Sequence, residues 1–208
     1  MVATNFWTNP GQDPKRNYRF LVDIATGLEG EEVYGSNATW YASKADKPKF
    51  SVTETPHKFI NHTFHYPGRV EWETLTITLV DPVDPNAAAA TAKLLERSGY
   101  LIPANAAAAA QPTTINKSDA IKAMGTVTIT QIGENSQGGT SPTGPRAVEK
   151  WVLRNAWIQA ANFSMLDYES DELSTIELTL RYDWAELTVE NQTGPNDTFF
   201  VPSGEIDQ

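Results

Sequence analysis

The chain has no cysteine, which excludes disulfides, thiolate metal sites and a thiol nucleophile and leaves stability to packing or assembly. It also lacks any apolar run near the roughly 18 residues that a membrane-crossing helix needs. The first residues, MVATNFWTNPGQDPKR, have neither the basic nor the apolar region of a secretion signal. No membrane insertion is expected, and a reducing cytoplasm suits the synthesis of such a chain. Basic residues are few: 16 Lys and Arg face 26 Asp and Glu, for a net charge of -10. A field of that sign repels a phosphate backbone, which argues against a protein that grips nucleic acid but not against one that lets it slide past.

Recognisable catalytic chemistry is missing too. The three histidines, His57, His62 and His65, lie close together, but on an extended strand residues 62 and 65 point to opposite faces and no third ligand stands beside them. No metal site is expected. There is no Gly-x-Ser-x-Gly elbow, and the glycines at 133, 138 and 139 do not lead from a strand into a helix as a phosphate loop does. The carboxylates that fall near one another, Asp81 with Asp84 and Asp167 with Glu169 and Asp171, read as a strand exit, a helix cap and a turn. The sequence therefore gives no catalytic residue, no cofactor and no enzyme. The aromatic residues lack interleaved bases, so core or subunit interface suits them better than base stacking.

What is present is alternation. Leu75, Ile77 and Leu79 alternate with threonines, as do Val127 and Ile129, and Ile176 to Trp184 alternate with Thr175, Glu177, Thr179, Arg181 and Asp183. Each run predicts a strand with one buried and one wet face. Further strands are expected over 18–24, 49–53 and 151–163, the last long enough to bend or to serve two sheets. One helix is predicted from Pro85 to Ser98, capped by Asp84, and a short second one from Ser118 to Met124, stopped by Gly125. The fold class is mainly β: two packed antiparallel sheets, a sandwich or half-barrel, with a flanking helix. A single domain spans 1–208, with a loop arm at about 56–73, a long Gly/Ser/Pro-rich loop at about 133–147 and an extended tail from about 188. The tail holds Phe199 and Phe200, which pack on their own domain or on another surface.

The arm region carries Phe59, Phe64, Tyr66, Arg69 and Trp72, more aromatic area than a free loop exposes, so it folds onto its own sheet or onto a neighbour. Half-polar strands also leave sheet edges to manage. Closing a barrel removes edges, and a ring of copies supplies the strands that one chain lacks.

Four motifs carry a resemblance: YPGRVEW at 66–72, LVDP at 79–82, LDYESDEL at 166–173 and LTLRYDWAEL at 178–187. In this order they resemble the tail tube protein of contractile-tailed bacteriophages. The resemblance implies hexameric rings, stacked into a hollow tube within a sheath, whose subunits each give inner strands to a continuous barrel. It implies tail sheath, baseplate and tape-measure proteins as partners, DNA passing through the bore without specific binding, and a place in the virion after assembly in the host cytoplasm. By it, Phe59, Phe64, Tyr66, Arg69 and Trp72 meet neighbouring subunits, the first helix lies on the outer side, and Thr- and acid-bearing strand faces, Thr175, Glu177, Thr179 and Arg181 among them, line the channel. Two alternatives stand beside it: the inner tube of a phage-derived injection system that carries protein effectors, and a carbohydrate-binding or enzymatic β-sandwich.

Overall fold

The computed structural model describes residues 15–25, 41–84, 86–102, 114–133, 147–169, 171–190 and 196–202. The alternating segments form eleven strands among these residues, in two packed sheets and a ribbon. The first sheet runs in the order β1 (Phe20–Ala25), β6 (Thr126–Ile132), β7 (Ala147–Arg154), β10 (Trp184–Val189) and β11 (Asp197–Phe199). The second runs β2 (Ala42–Ala45), β5 (Leu75–Val80), β9 (Thr175–Arg181) and β8 (Trp157–Phe163), and the ribbon pairs β3 (Phe50–Phe59) with β4 (His62–Trp72). Every pairing is antiparallel. The core between the sheets is built from the residues that alternation assigns to it: Leu75, Ile77 and Leu79 meet Ile176, Leu178 and Leu180, with Val22, Val127, Ile129 and Leu153 opposite. Mainly β, two-sheet architecture is thus as the pattern predicts.

Two long strand patterns each divide between the sheets. The 151–163 run breaks at Asn155, whose φ of 56° turns the chain from β7 into β8. The 175–184 run breaks at Tyr182 and Asp183, between β9 and β10. The two corners lie side by side: Asp183 N donates to Arg154 O at 3.1 Å, and Asn155 Nδ2 donates to Asp183 Oδ2 at 2.8 Å. A single antiparallel ribbon therefore bends from one sheet into the other, which anchors both sheets to each other.

Helix α1 (Ala87–Arg97) is shorter than expected at its start, because Asn86, not Asp84, is its cap: Asn86 Oδ1 accepts from Ala89 N at 2.7 Å. Asp81 adds a second acceptor, for Ala87 N at 3.1 Å. Helix α2 (Lys117–Met124) has Asn116 as its cap and stops at Gly125, which takes φ 68°. Among the described residues these two helices flank the sheets; they pack together and both meet β8. Part of the C-terminal tail lies on its own domain, since Asp197–Phe199 pairs with Leu187–Val189. The 133–147 loop falls, between Glu134 and Arg146, outside the described residues.

One buried carboxylate ties three segments together. Glu149 on β7 faces the core opposite Gln131. Its carboxylate accepts from Lys15, from the Trp151 indole and from Lys47 Nζ, the last at 2.8 Å, and Lys47 also donates to Gln131 Oε1 at 2.7 Å. Lys47 comes from the link between β2 and β3, so this cluster pins the second sheet's ribbon to the first sheet. Burial alone would raise the carboxyl pKa, but the three hydrogen bonds outweigh it and hold the group at about 2, against 4.5 ordinarily. A lowered folded-state pKa stabilises the fold fully above the unfolded value and loses that contribution as pH falls. Thermal melts should therefore drop in midpoint between pH 4.5 and about 2. Glu149→Gln should lower stability at pH 7 by about 1–3 kcal/mol, by replacing charge-assisted hydrogen bonds with weaker neutral ones, and should flatten the acid dependence in the same melts.

Candidate assembly interface

The arm is a hairpin rather than a loop. Strand β3 runs straight out of the β2 side, β4 runs straight into β5, and Asp46 N to Thr76 O and Glu73 N to Lys49 O, both 2.9 Å, keep the ladder continuous across the bend. So the arm is the outer half of one ribbon whose inner half belongs to the second sheet. Phe59 pairs with His62 across a two-residue turn, in which Ile60 takes φ 53° and is 90% exposed. That conformation suits Gly or Asn and strains a β-branched side chain.

A bulge divides the arm into halves. The register moves from Val52↔Val70 to Glu54↔Pro67, so β4 carries one residue more than β3 at that point. Thr53 fills the gap: its Oγ1 accepts from Arg69 N at 2.8 Å. A Cβ on Gly68 would stand 2.5 Å from that oxygen, so the close approach needs glycine. Cross-strand partners share a face and neighbours along a strand alternate. Phe50, Val52, Val70 and Trp72 consequently share one face near the root, while Phe59, Phe64 and Tyr66 share the opposite face near the tip.

At the root the apolar face is partly covered. Trp72 packs against the core edge and meets the rings of Phe50 and Phe200 at 5.5 Å and Tyr182 at 5.9 Å. A groove of about 410 Å³ remains, lined by Phe50, Val70, Trp184, Phe200 and Val201. At the tip the aromatic face is open among the described residues: Phe59, Phe64 and Tyr66 are about half exposed or more. Arg69 lies on the exposed arm beside the bulge. Of the five aromatic and basic residues assigned to the arm, then, four stand free of the domain and Trp72 belongs to its margin. The histidines are all on the arm, with His65 Nδ1 3.2 Å from Glu54.

A second surface is the outer face of the four-stranded sheet. Register places Thr76 beside Thr179, and Thr78 beside Glu177, with Lys44 and Asn162 flanking them and Thr175 and Arg181 at the ends of the row. The face is hydroxyl-rich and of mixed charge, with the carboxylates of Asp46 and Glu177 among the bases Lys44 and Arg181. The acids gather instead on the β8–β9 turn, where Asp167, Glu169, Asp171 and Glu172 are exposed. The titratable groups with resolved shifts serve ion pairs or burial. Hydrogen bonds from Arg154 lower Glu186, despite its burial. Asp183, which burial would raise, is lowered by Lys117 and Asn155. Burial raises Tyr182. Among the described residues no helix is long and apolar enough to cross a membrane.

No family model and no curated protein matches the sequence. Solved structures do resemble it. A chain of the anti-feeding prophage baseplate superposes with a TM-score of 0.56 at 13% identity, covering 85% of this chain and 96% of that one. A chain of the anti-feeding prophage tube-terminating cap gives 0.55 at 17%, covering 86% and 93%. A chain of the PVC extracellular contractile injection system's sheath-tube complex gives 0.51 at 14%, covering 85% and 93%. At these identities the likeness establishes a shared fold, one found in components of contractile injection particles.

Root and tip should respond differently to truncation. Trp72→Ala should destabilise the monomer by about 2–4 kcal/mol, as a partly buried Trp→Ala change does. Phe64→Ser should change it by less than about 0.5 kcal/mol, as exposed substitutions do. Urea titration of the two variants checks both values. Gly68→Val should disturb the bulge, and the Arg69 amide should lose hydrogen-exchange protection while core amides keep theirs.

Proposed function

We propose that this chain is the tube subunit of a contractile tail. Copies join side by side into a ring, hexameric by the resemblance of the sequence motifs, and rings stack into a hollow tube inside a sheath. The observation that carries this reading is the β2-β5-β9-β8 sheet. Both its edge strands lack an outer partner among the described residues, one face is buried, the other is rich in threonine, and the fold is one found in components of contractile injection particles. An open sheet edge is a template for another strand. Joining the edge of one copy to the opposite edge of the next, around a ring, satisfies both edges of this sheet and makes a barrel wider than one chain can close.

In that barrel Thr175, Glu177, Thr179 and Arg181, with Thr76 and Thr78, face the bore. Work is done there by shape and charge, without bond-making. A wall of hydroxyls with few, mixed charges has no row of bases to hold a phosphate backbone, so a long polymer moves along it freely. The cargo in the phage reading is the genome, preceded by the tape-measure protein, and the partners are sheath and baseplate. Delivery of protein effectors by a phage-derived injection particle is the second reading, favoured by the likeness to chains of an anti-feeding prophage and of an extracellular contractile injection system.

Negative-stain microscopy of the purified protein, alone and with a nucleating baseplate, should show rings or tubes with an open bore. Compact monomers under both conditions overturn the tube. For particles isolated from producing cells, nuclease-protected DNA in an attached capsid identifies genome delivery; a capsid-free particle identifies protein delivery.

A further inference from the structure

Copies stacked with one polarity touch through two different surfaces, one from each end of the subunit. The four-stranded sheet has two such ends, marked by Leu75↔Leu180 and Val80↔Thr175. The arm leaves at the first, because β4 runs into β5 at Leu75. The β8–β9 turn, which begins after Phe163 and ends before Thr175, leaves at the second, with Ser164 N to Thr175 O at 3.1 Å holding its root.

Both projections carry exposed apolar side chains. The arm tip offers Phe59, Ile60, Phe64 and Tyr66; the turn offers Met165, Leu166, Tyr168 and Leu173, the first three of these almost fully exposed. Their charges are opposite in kind. From Thr55 to Tyr66 the arm has no carboxylate, in a chain with 26 of them, and carries Lys58 with three histidines; the turn has four carboxylates and no base. His57 and His62 stand on the face that bears Phe59 and Phe64, where a ring N–H can donate to a carboxylate. Lys58 adjoins the hairpin turn on a flexible stem. With about 150–250 Å² buried per aromatic side chain, the two apolar sets together reach roughly 1,000 Å², the size at which a specific interface holds. The strain at Ile60 fits such a role. A large apolar side chain in a conformation that favours glycine, wholly in solvent, is explained by what it touches outside its own chain.

We propose that the arm tip of one copy docks on the β8–β9 turn of a second copy in the next ring. This contact rests on the stacked-ring reading and makes its axial direction specific. Because the chain has no cysteine, the contact can be read by a designed disulfide. In assembled particles the double variant Ile60→Cys, Tyr168→Cys should form a ladder of linked chains on oxidation with copper phenanthroline. Each single variant should stay unlinked. A charge exchange gives an independent reading: Lys58→Glu and Glu169→Lys should each raise the concentration for half-assembly by about five-fold, the scale of an exposed ion pair. Their combination should return to within about two-fold of the original. Both positions are exposed, and unchanged melting temperatures confirm that the subunit still folds. If the original protein assembles but the double cysteine variant links no more than the singles, or the combined charge variant stays as defective as its parents, the contact is wrong while the tube stands. If the original protein forms no ring or tube at all, the tube reading and the contact fall together.

Discussion

The position of the arm depends on the carboxylate of Glu149. It lies on the first sheet, yet it is held by Lys47, a residue of the bend where the second sheet's ribbon turns outward. A buried carboxylate with its donors in place fixes the geometry of everything attached to those donors, and removing one partner leaves an uncompensated charge. The bend therefore cannot swing without breaking that cluster. A rigid root is what allows a long ribbon to present its tip at a defined place. At the other corner Asn155 and Asp183 do the same for the second bent ribbon, with Lys117 bringing α2 to that point at 2.7 Å.

The core was legible from alternation alone, because residues such as Ile176, Leu178 and Leu180 face one side of a half-wet sheet and period two leaves no other assignment. The helices were legible to within a turn. The cap of α1 is Asn86 and not Asp84: both are good acceptors and only the backbone path decides between them. The corners could be expected only as a possibility for the long 151–163 run. A left-handed Asn155 is permitted by its short polar side chain but is not required by it.

The arm was the hardest part to read. Pro56 and Pro67 argue against strands, yet a two-stranded ribbon has two outer edges, where a missing N–H costs no ladder bond. The bulge at Gly68 and Arg69 hides the pattern further, since it moves Val70 and Trp72 to the face opposite Phe64 and Tyr66 although all four are even-numbered. Its only sequence signal is the glycine. The expected interface residues are legible as an aromatic excess, but the separation of Trp72 from the others depends on Tyr182 and Phe200, which are distant in sequence. The acidic segment has the sequence of a local turn, which the Asp167 Oδ1 acceptor for Glu169 N at 3.0 Å supports. Its exposed Met165, Leu166 and Tyr168 acquire meaning only when the opposite end of the sheet is in view.

The two-stranded form of the arm has a kinetic consequence. A hairpin standing off its domain has little stability of its own, so its ordering is completed by whatever it lands on. In the proposed tube the first copies to meet would supply that ordering with few contacts to offset it, whereas a copy joining an existing rim would find a prepared seat. Growth of this kind would start slowly and then run fast from a template, keeping free subunits apart until a foundation exists.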